Sequence, residues 1–339
     1  MAKEKGLGLL KNLAFYPEYR EDGGKTEPVE IGRFKHFAAV SKQRSSSILI
    51  ANLLFIVTLL PLIAVFVLVV AFGGVEAIAY KLKGITDAPY LMSTIGFGIS
   101  NAGLSQLDVK MYMLEVYYLI FAGAGVGTFF MSIGLAGMVP LCMKFIIGDS
   151  FDYKKDNYGN HVPKAINEFF KGIKRCWWQM LIVGVIFLVL FAGIGNVFVY
   201  FVGAFWTGTA GAGHWIMVIL AGIVALFTFM FLLHLIPSIA LYDMPFGLKM
   251  KNSAIFMLQF FLQNLLIVLV FAVPVVLATV MSSLVSAVII AILLVFGSKY
   301  YCLVMCNYEQ YISEKIIQPI YQAKYVKLTK QKNTKKKKK

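Results

Sequence analysis

Between Arg175 and Asp243 the chain contains no Asp, Glu, Lys or Arg. A helix needs about 20 apolar residues to cross roughly 30 Å of hydrocarbon. This uncharged stretch holds two such runs, about Met180–Val202 and Trp215–Tyr242, joined by a turn rich in Gly and Thr. Lipid offers the backbone no hydrogen bonds, so a spanning segment must satisfy its own, and a helical bundle is the architecture these runs dictate. Charged residues are 14% of the 339, against roughly 25% in soluble domains.

Four more apolar runs carry the same reading: about 48–72 with Pro61 inside, 113–146 with Pro140, 265–281 with Pro274, and 284–305. The expected fold is all-α, a polytopic transmembrane helical bundle of six spans. Basic amphipathic stretches precede every second span. In the first, Ile31, Phe34, Phe37 and Val40 follow helical spacing, with Arg33, Lys35, Lys42 and Arg44 between them. Residues 165–179 and 245–264 repeat it, so the expectation is three helical hairpins, each led by a helix lying in the membrane interface. Two returning spans end alike: Gly137 to Pro140 leads to Asp149, and Leu235 to Pro237 leads to Asp243.

Around this membrane domain, residues 31–310, lie a cytoplasmic arm at 1–30 and a basic tail at 311–339. Residues 74–111 are too charged to span and read as an external segment with short surface helices near 75–82 and 90–99. Residues 149–162 read as a polar turn. No apolar run precedes residue 48, so no cleavable signal peptide is expected and the first span serves as the anchor.

Lys and Arg set the orientation. Twenty-eight of the 32 fall on one side of the expected membrane, whereas Lys81, Lys83 and Lys110 fall on the other. By the positive-inside rule both termini are expected to be cytoplasmic, in a plasma membrane. The tail lysines have no interleaved aromatics at their end and suit anionic headgroups rather than nucleic acid. Trp177 and Trp178 beside Lys174 and Arg175 form an expected inner-interface anchor.

Chemistry-bearing constellations are scarce. Cys142, Cys176, Cys302 and Cys306 show no metal or redox spacing, although Cys302 and Cys306 share a helical face. HExxH, GxSxG and P-loop motifs are missing, so no catalytic residue, metal or cofactor is expected. Charges deep inside spans are nearly absent, which speaks against ion-coupled transport. Lys144 and Lys299, close to inner ends, read as snorkelling. Six residues remain as candidates for helix packing or a solute pathway: Gly123 and Gly127, spaced for close helix approach; Asn52 and Asn196; His234, read mainly as a hydrogen-bonded structural histidine; and Pro237.

The stretches GRFKHFAAVSKQRSSSILIANLLFIVTLLPLIAV, AINEFFKGIKRCWWQMLIVG and LIPSIALYDMPFGLKMKNSAIFMLQFF together resemble the YesL-like family of uncharacterised bacterial membrane proteins. The carrying residues are Asn52 to Phe55 with Leu60-Pro61, the Phe169 to Trp178 helix, Pro237 to Asp243, and Lys251 to Ala254. The long 74–111 segment and the lysine tail depart from the family pattern. The resemblance implies a six-span protein associated with ABC-type carbohydrate uptake: a non-enzymatic accessory or permease-like component with ABC-transporter subunits as partners. The alternative is a self-contained channel or facilitator for a small solute.

Overall fold

The computed structural model describes residues 33–43, 45–70, 106–147, 153–155, 161–163, 165–280 and 297–314, with Ile289, Ile292 and Leu293. The 1–30 arm, the surface helices expected near 75–82 and 90–99, the lysine tail and nearly all of 281–296 lie outside them.

Eight helices of ten residues or more are formed by the described residues: α1 Arg33–Gln43, α2 Ser45–Val70, α3 Gln106–Ile147, α4 Ala165–Trp206, α5 Ala212–Leu241, α6 Phe246–Gln259, α7 Phe261–Val280 and α8 Ser298–Ile312. Between α3 and α4 a small antiparallel ribbon pairs β1, Tyr153–Lys155, with β2, His161–Pro163, in the register Lys154 to Val162. The polar turn expected at 149–162 therefore contains paired strands. The regular structure of the described residues is otherwise helical. Among them, three helices are long and apolar enough to cross a membrane, or four if the bent pair α6–α7 is one span.

The joints between amphipathic and apolar stretches differ from one another. Residues 165–179 and the apolar run after them form one unbroken helix, α4, because CWWQMLIV offers no Gly or Pro to stop it. By contrast α6 and α7 meet at 93°. Helix α3 starts at Gln106, so the last residues of the expected external segment already belong to it. Helix α8 runs past Met305, where the sixth span was expected to end.

By contact density the chain forms two compact units. The first takes residues up to Phe55, then Leu135–Gln179, and all beyond Phe229. Its centre is the C-terminal half of α5, where every residue from Leu232 to Leu241 is buried. A helix buried on all sides must be surrounded by other elements. The N-terminal half of α4 passes so close to α3 here that a Cβ on Gly172 would stand 2.9 Å from the Ala136 carbonyl oxygen.

In the second unit, Ile56–Gly134 with Met180–Thr228, α3 and α4 pack antiparallel: Gly184 faces Ser132, and Gly195 faces Phe121. A Cβ at either glycine would come within 2.5 Å of its neighbour, so the backbones approach through small residues as in membrane helix pairs. Phe201 packs edge-on against Trp215 at 4.7 Å. The N-terminal half of α5 leaves Trp215, Ile216, Ile219, Leu220 and Val224 more than half exposed. An exposed apolar surface so continuous is compatible with a helix that crosses a membrane.

Candidate functional site

The buried half of α5 carries one ionisable side chain, His234, and the first unit's other helices bring polar groups to it. Glu309 of α8 places Oε2 2.9 Å from His234 Nδ1, and neither side chain has any solvent exposure. On the other side of the ring, His234 Nε2 lies 3.0 Å from Asn264 Oδ1 of α7. The Tyr308 hydroxyl donates to the same Oδ1 at 2.8 Å. Rings of Phe256 and Tyr308 flank the imidazole at 5.6 and 5.5 Å.

Asn264 also explains the 93° bend. The last carbonyls of a helix have no intrahelical partner. Asn264 Nδ2 donates to two carbonyls in the last turn of α6, Phe256 O and Met257 O, each at 3.2 Å. One amide thus closes the broken end of α6 with its NH2 and reaches His234 with its oxygen.

This arrangement fixes protons. Both Nδ2 partners are carbonyl oxygens, so the amide cannot be reversed, and Oδ1 is the acceptor facing His234. His234 Nε2 must then carry a hydrogen. The opposite nitrogen, Nδ1, lies 2.9 Å from Glu309 Oε2. The second carboxyl oxygen, Glu309 Oε1, is buried with no hydrogen-bond partner among the described residues. A buried carboxyl with one oxygen unsatisfied is costly, which makes this cluster the place where the fold departs from simple packing.

Two further buried polar contacts lie in the same unit. Lys249 of α6, 1% exposed, donates from Nζ to Gln179 Oε1 at 3.0 Å and to Ile239 O at 3.2 Å. Near the ribbon, Lys144 at the end of α3 and Lys171 both reach Glu168 in the first turn of α4, at 2.8 and 3.0 Å. Lys144 is therefore tied to a carboxylate, where the sequence suggested snorkelling.

The candidates from sequence separate accordingly. His234 and Pro237 lie together in the buried half of α5. Asn52 is fully buried in the same unit and accepts from the Ser298 hydroxyl, away from the histidine bonds. Asn196 belongs to the second unit, is exposed, and donates to its own helix at Ala192 O, so it is not brought together with His234. Gly127 is buried and Gly123 partly so, and between them Gly125 lies against α4, where an added Cβ would stand 3.0 Å from the Leu188 side chain.

Glu309 and Tyr308 were not among the candidates, because they fall beyond the apolar window that ended at Met305. The signal was present in the spacing: Cys302, Cys306 and Glu309 occupy one helical face, and all three are buried. Glu309 is a fully buried ionisable residue that lies four residues beyond the run expected to span. Comparison with protein-family models, curated proteins and solved structures finds no match.

Proposed function

We propose that the chain is a non-enzymatic, permease-like or accessory component of solute uptake, and that the His234–Glu309–Asn264 cluster is its working site. The observation that carries this reading is an ionisable pair, fully buried, beside a broken helix. Discontinuous helices next to polar side chains are the recurring construction of membrane transport sites. Ionisable residues held inside a membrane bundle are expensive and mark function by default. The solute class, carbohydrate delivered through an ABC-type system, comes from the resemblance to YesL-like proteins.

In this reading the chain spans a bacterial plasma membrane six times with both ends inside. The distribution of Lys and Arg supports that orientation. So does the outer face of the first turns of α4, where Ile166, Phe170, Trp177 and Trp178 are about half exposed and alternate with exposed Lys171 and Lys174. Aromatic rings and lysines on one face suit the boundary between acyl chains and anionic headgroups.

The test is purification of the tagged protein from its native membrane in mild detergent, with its companions identified by mass spectrometry. ABC-transporter subunits or a solute-binding protein recovered in stoichiometric amounts support the reading. A solitary protein that conducts solutes in liposomes would replace it with a self-contained facilitator.

A further inference from the structure

We propose that His234 and Glu309 form a proton-binding site that ties α5 to α8 with one exchangeable proton held between Nδ1 and Oε2. The geometry demands that proton. Because Asn264 obliges Nε2 to be the donor on its side, a deprotonated pair would set the Nδ1 lone pair against a carboxylate across 2.9 Å, in a site with no solvent exposure. Such a contact is repulsive where the dielectric is low. With the proton present, the pair is neutral overall in either arrangement, as imidazolium with carboxylate or as imidazole with carboxylic acid.

The surroundings offer no substitute. From α7 the site is faced by the Asn264 amide and from α6 by the Phe256 ring. From α8 it is faced by Tyr308, which donates to Asn264, and one turn away by Cys306, whose thiol is directed to Val139 O. Among the described residues, His234 is the basic group paired with Glu309. Glu309 Oε1, buried and unpartnered among those residues, keeps one face of the carboxyl open to a second donor.

The sign of the resulting pH dependence follows from counting protons. In the unfolded chain His titrates near pH 6.5 and Glu near pH 4.3, so above about pH 6.5 the unfolded pair holds one proton fewer than the folded pair. Stability must then fall as pH rises through that range, by up to about tenfold in the folding equilibrium per pH unit. In E309Q the amide N–H takes over the role of the shared proton and cannot be lost. The folded variant then holds a neutral His234, and its stability falls on the acid side, below about pH 6.5, where the unfolded histidine gains a proton.

The experiment is the thermal midpoint of the purified full chain in detergent, wild type and E309Q, from pH 5 to 9. A crossing is expected, with wild type losing stability relative to E309Q above about pH 6.5 and gaining on it below. Parallel profiles would overturn the proposal. If E309Q does not fold, nitrogen-15 NMR of histidine-labelled wild type decides: a resonance pair, missing in H234Q, with hydrogen-bonded Nδ1 and Nε2 unchanged to alkaline pH is expected. A His234 ring that titrates like a free imidazole would overturn it. The inference extends the assignment of this cluster as the working site but fails separately from it, since these readings involve no solute and no partner.

Discussion

Lys249 Nζ sits 3.2 Å from the carbonyl oxygen of Ile239, two residues before the end of α5. The final carbonyls of a helix lack intrahelical partners and carry partial negative charge, so a buried ammonium there is a cap. Gln179 Oε1 supplies its second acceptor. K249M should remove the ammonium from both oxygens, leaving Ile239 O only the long contact from the Cys176 thiol at 4.0 Å, and lower stability by about 2 kcal/mol, as expected for buried polar groups left unmade. Denaturant unfolding in detergent measures this; an unchanged midpoint would mean that the cap is dispensable.

Truncation at the central pair should cost more. E309A leaves His234 with an unanswered Nδ1 in a dry site, and the expected loss is about 3–5 kcal/mol, the usual result of deleting one partner of a buried pair. E309Q, which keeps a donor toward Nδ1, should lose less. Equal losses in the two variants would show that shape, not hydrogen bonding, is what position 309 supplies.

Glycines should sort by what faces them. Gly172→Ala meets the Ala136 backbone oxygen at 2.9 Å, which cannot move aside, and should destabilise by about 1–3 kcal/mol. Gly222→Ala, on the exposed face of α5 with nothing within 4 Å, should be neutral or stabilising by up to about 1 kcal/mol through helix propensity. Thermal midpoints of the two variants test this, and the reverse order would refute the observed α3–α4 packing.

The Glu168 bridge joins the end of α3 to the start of α4, with Lys144 21% exposed and Glu168 4%. E168Q should loosen the ribbon end by about 1 kcal/mol, because the surviving contacts are partly solvated. Faster proteolysis between residues 148 and 164 is the expected readout; an unchanged cleavage rate would count against a bridging role.

What the sequence made legible was hydropathy. Apolar runs located α2, α3, the apolar part of α4, α5 and α7, since burial of apolar surface is a property of long windows. The bend between α6 and α7 was not legible. No Gly or Pro marks Phe260, and the bend is stabilised by one amide, Asn264, four residues later. Lys249 misled for a related reason: on an amphipathic stretch a lysine reads as wet, but here a helix end waits for it. Glu309 was hidden by the polar residues around it, which ended the apolar window one turn too soon. His234 is hydrogen-bonded, as its isolated place on an apolar helix suggested, but its partners could be named only in three dimensions.

A working site at the buried polar cluster and a mere clasp holding α5, α7 and α8 together differ in what E309Q does to uptake. Labelled oligosaccharide is given to cells lacking the protein, complemented with wild type or E309Q at matched membrane levels. Wild type should restore uptake, and E309Q, folded and inserted, should not. Full uptake with E309Q would leave the cluster a structural clasp and overturn its assignment as the working site.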